Sequence, residues 1–517
     1  ECSGFDASQW EGGVHSCSYR DLNSALVSQN TVIGGDDCND TAEFTYVGAA
    51  PQTDPSTCLT DFDGDGLSDR SWDLCPTEMS YADARYLLQG TSGNAFFDVR
   101  SIGDLNGDGT KDILYDTFDR GSSLRISLLD STLFSSNTPT LDQSDWTFKF
   151  GSPVALATSL NFVDDIDGDG LDDFGIGCSS YSVTGIFLYL SSFYGQYLGV
   201  ETIGEGHSIH IEGDDLDFIS YGGDLDQDGL ADVLTNGEYI QNFLSYRALK
   251  LHLGQNLLPM MGGSVSSDAA DLVFLALDKG FVTDIDDDGI SDYVLYSRFH
   301  NDYSGQNAIF LGAGLLNGPD LLTMSDADWV MYGQTSRYFL DITDSGDFNG
   351  DGKADLLVKE AYNTMGCHLF LNETILNGPT SMSKSDADLR ILGGEPKHYN
   401  FCTNAGDLDA DGLDDLVMNW EGELNGVSNS NYASVFFGSS LVAAIEAAEL
   451  DDTGILHNEP VTLDVRDADF IFPDVTYARN IGDIDQDGLD ELMLGNPSMS
   501  YAALNGGVNG IFSACEK

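Results

Sequence analysis

Eight short segments of the chain place carboxylates at alternate positions around a glycine. They share the pattern D-x-[DN]-x-D-G-x-x-[DE] and begin at residues 61, 104, 165, 224, 284, 347, 407 and 483. Carboxylates held this close together repel one another unless a cation lies between them. The recurrence of five constrained positions in eight copies therefore favours a cation-binding loop over a merely solvated acidic turn.

The oxygen atoms of these loops suit Ca²⁺, a hard cation that takes about six to eight oxygen ligands. We expect side-chain oxygens from positions 1, 3 and 5, the backbone carbonyl from position 7 and a bidentate carboxylate from position 9. Glycine at position 6 allows the positive φ that so tight a turn needs. About eight Ca²⁺ sites are predicted, with ligands from Asp61, Asp63, Asp65, Leu67 and Asp69; Asp104, Asn106, Asp108, Thr110 and Asp112; Asp165, Asp167, Asp169, Leu171 and Asp173; Asp224, Asp226, Asp228, Leu230 and Asp232; Asp284, Asp286, Asp288, Ile290 and Asp292; Asp347, Asn349, Asp351, Lys353 and Asp355; Asp407, Asp409, Asp411, Leu413 and Asp415; and Asp483, Asp485, Asp487, Leu489 and Glu491.

An EF-hand loop begins in the same way, but it needs a Glu at position 12 and a helix after it. The eight copies hold other residues at that position, namely Trp72, Tyr115, Ile176, Thr235, Leu295, Val358, Met418 and Leu494. Apolar and β-branched runs such as DILY, DVLT and DLLV follow the loops. Each loop is therefore predicted to lead into a β-strand rather than a helix.

The loops also recur at a nearly constant spacing. From residue 104 onward, successive loops start 61, 59, 60, 63, 60 and 76 residues apart, which is typical of a repeat architecture. Each period has room for four short strands, as in SRYFLDI, DLLVKE, GCHLFLNE and SDADLRILGG of one repeat. Seven such units predict an all-β fold, a seven-bladed β-propeller of four-stranded antiparallel blades.

The two ends of the chain favour a closed ring over an open solenoid. After the last loop, only ELMLGN and GVNGIFSA read as strands, so the seventh repeat lacks its fourth strand. The segment MSYADARYLLQG at 79–90 is similar to MSKSDADLRILGG at 382–394, which includes a fourth strand. We expect residues 79–90 to complete the last blade and so remove the exposed strand edges of an open stack.

The cysteines indicate covalent links as well. Of the nine, Cys75 and Cys515 flank the predicted ring closure, and Cys367 and Cys402 lie in consecutive repeats, so both pairs are disulfide candidates. The sequence alone leaves the connectivity open. In the sixth repeat an insertion, SLVAAIEAAELDD, predicts a short amphipathic helix packed on its own blade.

The acidic nonapeptide, the strand after it and the period of about 60 residues resemble the FG-GAP repeats of integrin α-subunit propellers and of many bacterial surface proteins. The resemblance covers roughly residues 80–517, although the FG and GAP tags themselves are poorly kept. The first loop, DFDGDGLSDRSWDLCP, resembles a thrombospondin type 3 calcium repeat, and GGDDCNDTAEFTYVGAAP upstream is similar to a motif of MopE-like surface proteins. These resemblances imply two domains, a cysteine-rich calcium-binding module at 1–78 and a propeller at 79–517.

Charge and composition narrow the classes of partner. The chain has 86 acidic and 21 basic residues and a formal net charge of −65. So acidic a surface disfavours nucleic acid and anionic membranes as partners. No run of about 20 apolar residues could span a membrane. Clustered cysteines, calcium loops of the low-affinity type and a start at ECSG, typical of a processed terminus, predict a secreted or surface protein.

The loops that join second to third strands would share the face opposite the metal loops. They are rich in Tyr, Asn, Ser and Gly, the mixture that adaptable binding loops use. The candidates for a recognition surface are Tyr239, Tyr246, Phe299, Tyr303, Tyr362, Trp420, Tyr432 and Tyr501.

No zinc-protease, serine-hydrolase or nucleotide-binding motif occurs, so we expect a protein that is not an enzyme. The sequence favours adhesion, recognition or surface assembly with an extracellular protein or polysaccharide ligand. Two alternatives remain open. One is a structural subunit of a filament, sheath or surface layer, and the other is a glycan lyase or hydrolase built on a propeller.

Overall fold

The computed structural model describes residues 156–179, 184–192, 209–213, 218–241, 244–297, 306–332, 339–361, 366–393, 401–424, 427–449, 460–483 and 489–496. It also describes shorter stretches, most of them single strands, before residue 156 and at 199–202, 216 and 508–512. The chain divides into two compact units, Glu1–Cys75 with Ala514–Lys517, and Pro76–Ser513. In the first unit, the described strands form two hairpins, Ser18–Arg20 with Leu26–Ser28 and Thr45–Val47 with Cys58–Thr60.

The second unit contains seven described sheets, which we number in chain order. Sheet 1 consists of Ala95–Ser101, Ile113–Phe118, Ser123–Ile126, Trp146–Lys149 and Gly199–Thr202. Sheet 2 consists of Leu156–Asp164, Asp173–Ser179, Thr184–Tyr189, Ile209–Glu212 and Gly263–Ser266. Sheet 3 consists of Ile219–Tyr221, Val233–Gln241, Leu244–His252, Leu272–Leu275 and Leu321–Leu322. Sheet 4 consists of Lys279–Thr283, Asp292–Ser297, Gln306–Phe310, Trp329–Tyr332 and Ser381–Met382.

The last three sheets follow the same order. Sheet 5 consists of Phe339–Gly346, Asp355–Ala361, Gly366–Phe370, Leu389–Leu392 and Val461–Asp464. Sheet 6 consists of Cys402–Gly406, Asp415–Leu424, Val427–Phe436 and Phe470–Pro473. Sheet 7 consists of Tyr477–Asn480, Leu492–Asn496, Val508–Phe512 and Tyr86–Gln89. The three α-helices are Gly254–Leu257, Asn372–Asn377 and Gly438–Glu449. No helix in the described part of the chain is both long and apolar enough to cross a membrane.

Within each sheet, four strands pair antiparallel in a simple up-and-down order. Sheet 7 is completed from far away in the sequence, because Tyr86–Gln89 pairs antiparallel with Val508–Phe512. The first strand of sheet 7, Tyr477–Asn480, in turn contacts the first strand of sheet 1, Ala95–Ser101. The last described sheet is therefore joined both to the start of the second unit and to its first sheet.

Five of the sheets carry a fifth strand, which the repeat pattern did not predict. This strand comes from a later repeat and pairs parallel with the fourth strand, as Gly263–Ser266 does with Ile209–Glu212. In sheet 5 the fifth strand is Val461–Asp464, and the backbone N–H of Val461 donates to the carbonyl of Asp388. Each such strand covers the outer edge of its sheet and so leaves fewer unpaired backbone groups there.

The core lies between neighbouring sheets. The second and third strands of sheet 4 are buried along their whole length, which explains why apolar residues follow one another there without alternation, as at Tyr293, Val294 and Leu295. Leu234 and Leu249 of sheet 3 share one cluster with Tyr293 and Leu295 of sheet 4. Equivalent clusters join sheets 2 and 3, sheets 4 and 5, and sheets 5 and 6.

A disulfide joins two consecutive sheets. Cys367 in the third strand of sheet 5 is bonded to Cys402 in the first strand of sheet 6, and both side chains are buried. The other candidate pair, Cys75 and Cys515, lies outside the described residues. The Gly438–Glu449 helix packs nearby, since Leu441, Ala444 and Ile445 belong to the cluster between sheets 5 and 6.

Removing the Cys367–Cys402 bond should destabilise the protein without changing its fold. The bond closes a segment with a sequence separation of 35, and loop-closure entropy makes such a link worth about 3–4 kcal/mol. We expect the C367A/C402A double variant to lose about that free energy of unfolding in urea. The single variant C367A should behave almost identically, because the link is already broken. A double variant with wild-type stability would contradict a stabilising role.

Candidate metal-binding loops

The seven acidic loops from residue 104 onward connect the first and second strands of sheets 1 to 7. Five of them, 165–173, 224–232, 284–292, 347–355 and 407–415, are described completely. The loops 104–112 and 483–491 are described in part. The predicted ligands outside the described residues are Asp61, Asp63, Asp65, Leu67, Asp69, Asp108, Thr110, Asp485 and Asp487.

The first aspartate of each loop organises the turn around its own carboxylate. In loop 165–173, the N–H groups of Gly168 and Asp169 donate to Oδ1 of Asp165 at 2.7 and 3.1 Å, and that of Gly170 donates to Oδ2 at 2.7 Å. Loop 347–355 repeats the same three hydrogen bonds around Asp347. This is an Asx-type turn, in which a short carboxylate replaces a backbone acceptor.

Two positions of the loop have left-handed backbone. The glycine at position 6 has φ between 80° and 87° in all six loops where it is described, as the sequence predicted. Position 4 is left-handed too, even where it is not glycine, as at Gln227, Asp287 and Ala410. Non-glycine residues adopt this region at a cost, so the surrounding hydrogen bonds must hold the turn in place.

The ninth residue holds the loop against the end of the third strand. Asp173 is fully buried; its Oδ2 accepts from the N–H of Ile166 at 2.9 Å and its Oδ1 from that of Ser191 at 2.7 Å. Asp232, Asp292, Asp355 and Asp415 make the same pair of bonds, each to position 2 of its own loop and to the residue just after the third strand or the next one along. The predicted bidentate ligand is thus first of all a structural acceptor. Each of its oxygens keeps a further lone pair for a cation.

In three described loops, the aspartate at the third position has a buried oxygen that lacks a hydrogen-bond partner. Oδ1 of Asp167, Asp226 and Asp286 is buried and has no hydrogen-bond partner among the described residues. The other oxygen of Asp167 accepts from the hydroxyl of Ser192 at 2.7 Å, which orients the carboxylate. A buried anionic oxygen without a partner is costly, so these three atoms mark where a cation would be stabilising.

Carboxylates converge at these points in four loops. One ligand atom from each of three aspartates lies within 4.8 Å of the others in the groups Asp165, Asp167 and Asp173; Asp224, Asp226 and Asp228; Asp284, Asp286 and Asp292; and Asp407, Asp409 and Asp411. The donors are all hard oxygens, with no Cys or His among them. Such a set could hold a metal ion and fits Ca²⁺ or Mg²⁺ better than Zn²⁺ or Cu²⁺.

The pKa values of the third-position aspartates reflect how closely the carboxylates are grouped. Burial raises the pKa of Asp226 above its ordinary value, and repulsion from Asp228 adds to the rise. Burial likewise raises the pKa of Asp286, again with help from a neighbouring carboxylate, Asp288. A cation placed among these groups would lower their pKa values, because it stabilises the charged form.

A second set of aspartates has a structural role that the sequence analysis did not predict. The fourth strands of sheets 3, 4, 5 and 6 each follow a [DA]-A-D step, as in Asp386, Ala387 and Asp388. The last Asp of the step accepts a hydrogen bond from the residue just after the third strand. Asp388 accepts from the N–H of Leu371 at 2.8 Å and from the hydroxyl of Thr374 at 2.7 Å. Asp271, Asp328 and Asp469 accept from equivalent N–H groups. The recurrence of the step was visible in the sequence, and it marks a structural acceptor rather than a ligand.

The structure separates the candidate recognition residues into two groups. Tyr239 and Tyr246 are cross-strand partners near the tip of a long hairpin in sheet 3, where Tyr239 is half-buried and Tyr246 is 37% exposed. Trp420 and Tyr432 are only 1% and 3% exposed and stack on each other, with ring centroids 4.6 Å apart. These two belong to the core, because the second and third strands of sheet 6 extend past them. Phe299, Tyr303, Tyr362 and Tyr501 lie outside the described residues.

A scan against protein-family models and a search of curated proteins each found no match to this chain. The interpretation of the loops therefore depends on their own geometry and chemistry.

The buried ninth carboxylates predict how the metal-free protein responds to pH. Burial raises the pKa of Asp173 to about 8, of Asp232 and Asp355 to about 7, of Asp292 to about 6 and of Asp415 to about 9. The folded state thus holds protons that the unfolded state releases above pH of about 4, so stability falls as pH rises through this range. We expect the melting temperature in EDTA to drop by about 5 °C or more between pH 6 and pH 9.

Two controls separate this effect from general charge repulsion. About 0.5 M NaCl screens repulsion between exposed charges but leaves buried groups largely unaffected, so the slope should persist in salt. Saturating Ca²⁺ should remove the slope, since the ion requires ionised carboxylates. A melting temperature in EDTA that is independent of pH, or that rises with pH, would contradict the assignment.

Proposed function

We propose that residues 79–517 form a calcium-loaded seven-bladed β-propeller of the FG-GAP type. In this proposal residues 1–78 form a separate small calcium-binding module. The protein acts outside the cell as a recognition or surface-assembly module and not as an enzyme. The metal ions hold the scaffold in its folded form, and the loops on the opposite face contact the ligand.

Three contacts support the closed ring. Seven sheets with the same up-and-down order follow one another along the second unit, and sheets 2 to 6 pack consecutively through shared clusters. Tyr86–Gln89 completes the seventh sheet. Lys111 of loop 104–112 lies so close to Gly482, just before loop 483–491, that a β-carbon on Gly482 would be 2.8 Å from its Nζ. A glycine before loops 104–112, 347–355 and 407–415 packs in the same way against the eighth residue of the next loop, here Asp172, Asp414 and Asp490.

The single observation that carries the calcium assignment is the unpartnered buried oxygen at position 3 of three loops. In loops 165–173, 224–232 and 284–292 the first aspartate accepts N–H groups of the turn and the ninth holds the loop to the end of the third strand. One oxygen of the third aspartate, in contrast, has no hydrogen-bond partner among the described residues. Ca²⁺ accepts the irregular, oxygen-only coordination that such a loop offers, whereas Mg²⁺ demands near-ideal octahedral geometry. Millimolar Ca²⁺ outside the cell would suffice for sites of modest affinity.

Recognition is supported by the hairpin of sheet 3, which carries exposed apolar and aromatic side chains on a rigid scaffold. Ile240 is 70% exposed and Tyr246 is 37% exposed near its tip. Exposed aromatic residues of this kind give large contact area at little entropic cost. Self-assembly into a filament or surface layer is the second candidate, because the same side chains could contact another copy.

Calorimetric titration of metal-free protein tests the metal assignment. We expect uptake of about eight Ca²⁺ ions, each bound at least about tenfold more tightly than Mg²⁺. The triple variant D167A/D226A/D286A should take up about three fewer ions, because each change removes the unpartnered oxygen of one loop. Asp320 is exposed and outside every loop, so D320A shows the effect of losing one carboxylate elsewhere on the surface. Equal affinity for Mg²⁺, or unchanged uptake in the triple variant, would contradict the assignment.

Polysaccharide and extracellular-protein arrays probed in about 1 mM Ca²⁺ test recognition. The proposal expects a ligand whose affinity falls about tenfold or more in the variant Y239A/Y246A. Tyr332 is also exposed but lies on the fourth strand of sheet 4, so Y332A is the matched control. Concentration-dependent light scattering distinguishes self-assembly, and a monomer that binds nothing on either array would count against both functions.

A further inference from the structure

Consecutive metal loops are hydrogen-bonded to each other through a recurring backbone contact. The N–H of the eighth residue in one loop donates to the carbonyl of the first aspartate in the loop before it. This bond occurs at four junctions: Asp172 to Asp104 at 3.2 Å, Ala231 to Asp165 at 2.8 Å, Asp414 to Asp347 at 2.9 Å and Asp490 to Asp407 at 3.1 Å. The carboxylate of the first aspartate accepts N–H groups of its own turn. The contact therefore joins the residue that organises one loop to the eighth residue of the next loop.

At two of these junctions a second bond returns in the opposite direction. The carboxylate of Asp172 accepts from the N–H of Asp104 at 2.7 Å, and that of Asp414 accepts from the N–H of Asp347 at 2.8 Å. The two bonds form a closed pair between the eighth residue of one loop and the first residue of the loop before it. At the junction of loops 224–232 and 284–292, the hydroxyl of Ser291 accepts from the N–H of Asp224 at 3.3 Å.

The eighth residue lies next to two predicted ligand positions of its own loop, so a contact to it can affect metal binding there. It lies between position 7, whose carbonyl is a predicted ligand, and position 9, whose buried carboxylate holds the loop to the third strand. An ion that orders one loop fixes its first aspartate and hence the peptide units that carry two ligands of the next loop. The next loop is then already partly ordered, so binding of the second ion costs less conformational entropy.

We propose that the metal loops bind Ca²⁺ cooperatively, with coupling passed between neighbours through the eighth residue. This inference rests on the proposed calcium function and adds its regulation. The protein would change between its metal-free and loaded states over a narrower range of free Ca²⁺ than independent sites allow. Asp172 and Asp414 are the positioning residues, since each contacts the neighbouring loop without belonging to the three-carboxylate groups.

Asp414 offers a sharp test, because it joins loops 347–355 and 407–415. D414A removes the acceptor for the N–H of Asp347, and we expect two ions, not one, to bind about twofold to tenfold more weakly. D414N loses the charge but keeps an oxygen acceptor, so it should retain most of the wild-type affinity. Alanine occupies the same position naturally at Ala231 and Ala354, so the loop tolerates it. D172A provides a second, independent junction, and D320A controls for loss of charge elsewhere.

Calorimetric Ca²⁺ isotherms with ion counts from native mass spectrometry give the readout. Wild-type protein should fill with a Hill coefficient above one, and D414A should lower it. Coupling is overturned if the wild-type sites fill independently, if D414A weakens no ion or only one, or if D414N is as weak as D414A. If wild-type protein takes up no Ca²⁺ at all, the proposed calcium function fails and the coupling fails with it, which is a different result from independent filling.

Discussion

A buried carboxylate that accepts two backbone N–H groups is the interaction on which the described loops depend. At Asp415, one oxygen holds Leu408 inside the loop and the other holds Gly438 just beyond the third strand. Removing either acceptor would leave a buried N–H without a partner, at a cost of about 1–3 kcal/mol. In five sheets the ninth carboxylate makes the same pair of bonds and so joins the second position of the acidic turn to the end of the third strand.

This anchoring explains how so much like charge can be gathered in one turn. Asp165 accepts three N–H groups of the turn, and Asp169 accepts the N–H of Leu171. Asp167 is left with a buried oxygen that has no donor among the described residues. A hard cation beside that oxygen would be stabilising. Burial and mutual repulsion both act against ionised carboxylates in the metal-free form, and a bound cation would offset both effects.

The all-β class and the local geometry of the loops could be predicted from the sequence because they follow from local rules. Glycine at position 6 has positive φ, a strand follows each described loop, and the insertion in the sixth repeat forms the Gly438–Glu449 helix. Cys367 and Cys402 were one of two candidate pairs, and the structure bonds them. These features depend on a residue and its near neighbours, or on the repeat period, and both can be read from a single chain.

The remaining features depend on contacts between distant residues. The ninth carboxylate looks like a ligand in sequence, and only the third strand, about 20 residues further on, reveals its two N–H donors. The fifth strand of sheets 1 to 5 comes from a later repeat, so the repeat pattern alone could not assign it. Trp420 was predicted to lie in an exposed loop, but its strand runs on to Leu424 and the side chain is buried. Strand length beyond the metal loop varies between repeats and carries little sequence signal.

The central claim is that divalent cations occupy the carboxylate clusters of the folded protein. Anomalous difference density from crystals grown in Ca²⁺ tests it most directly. The account predicts a peak within coordination distance, about 2.3–2.6 Å, of the third-position oxygens of Asp167, Asp226 and Asp286, in molecules that retain the seven sheets. Well-ordered loops with water or nothing at those oxygens, in protein saturated with Ca²⁺, would contradict it.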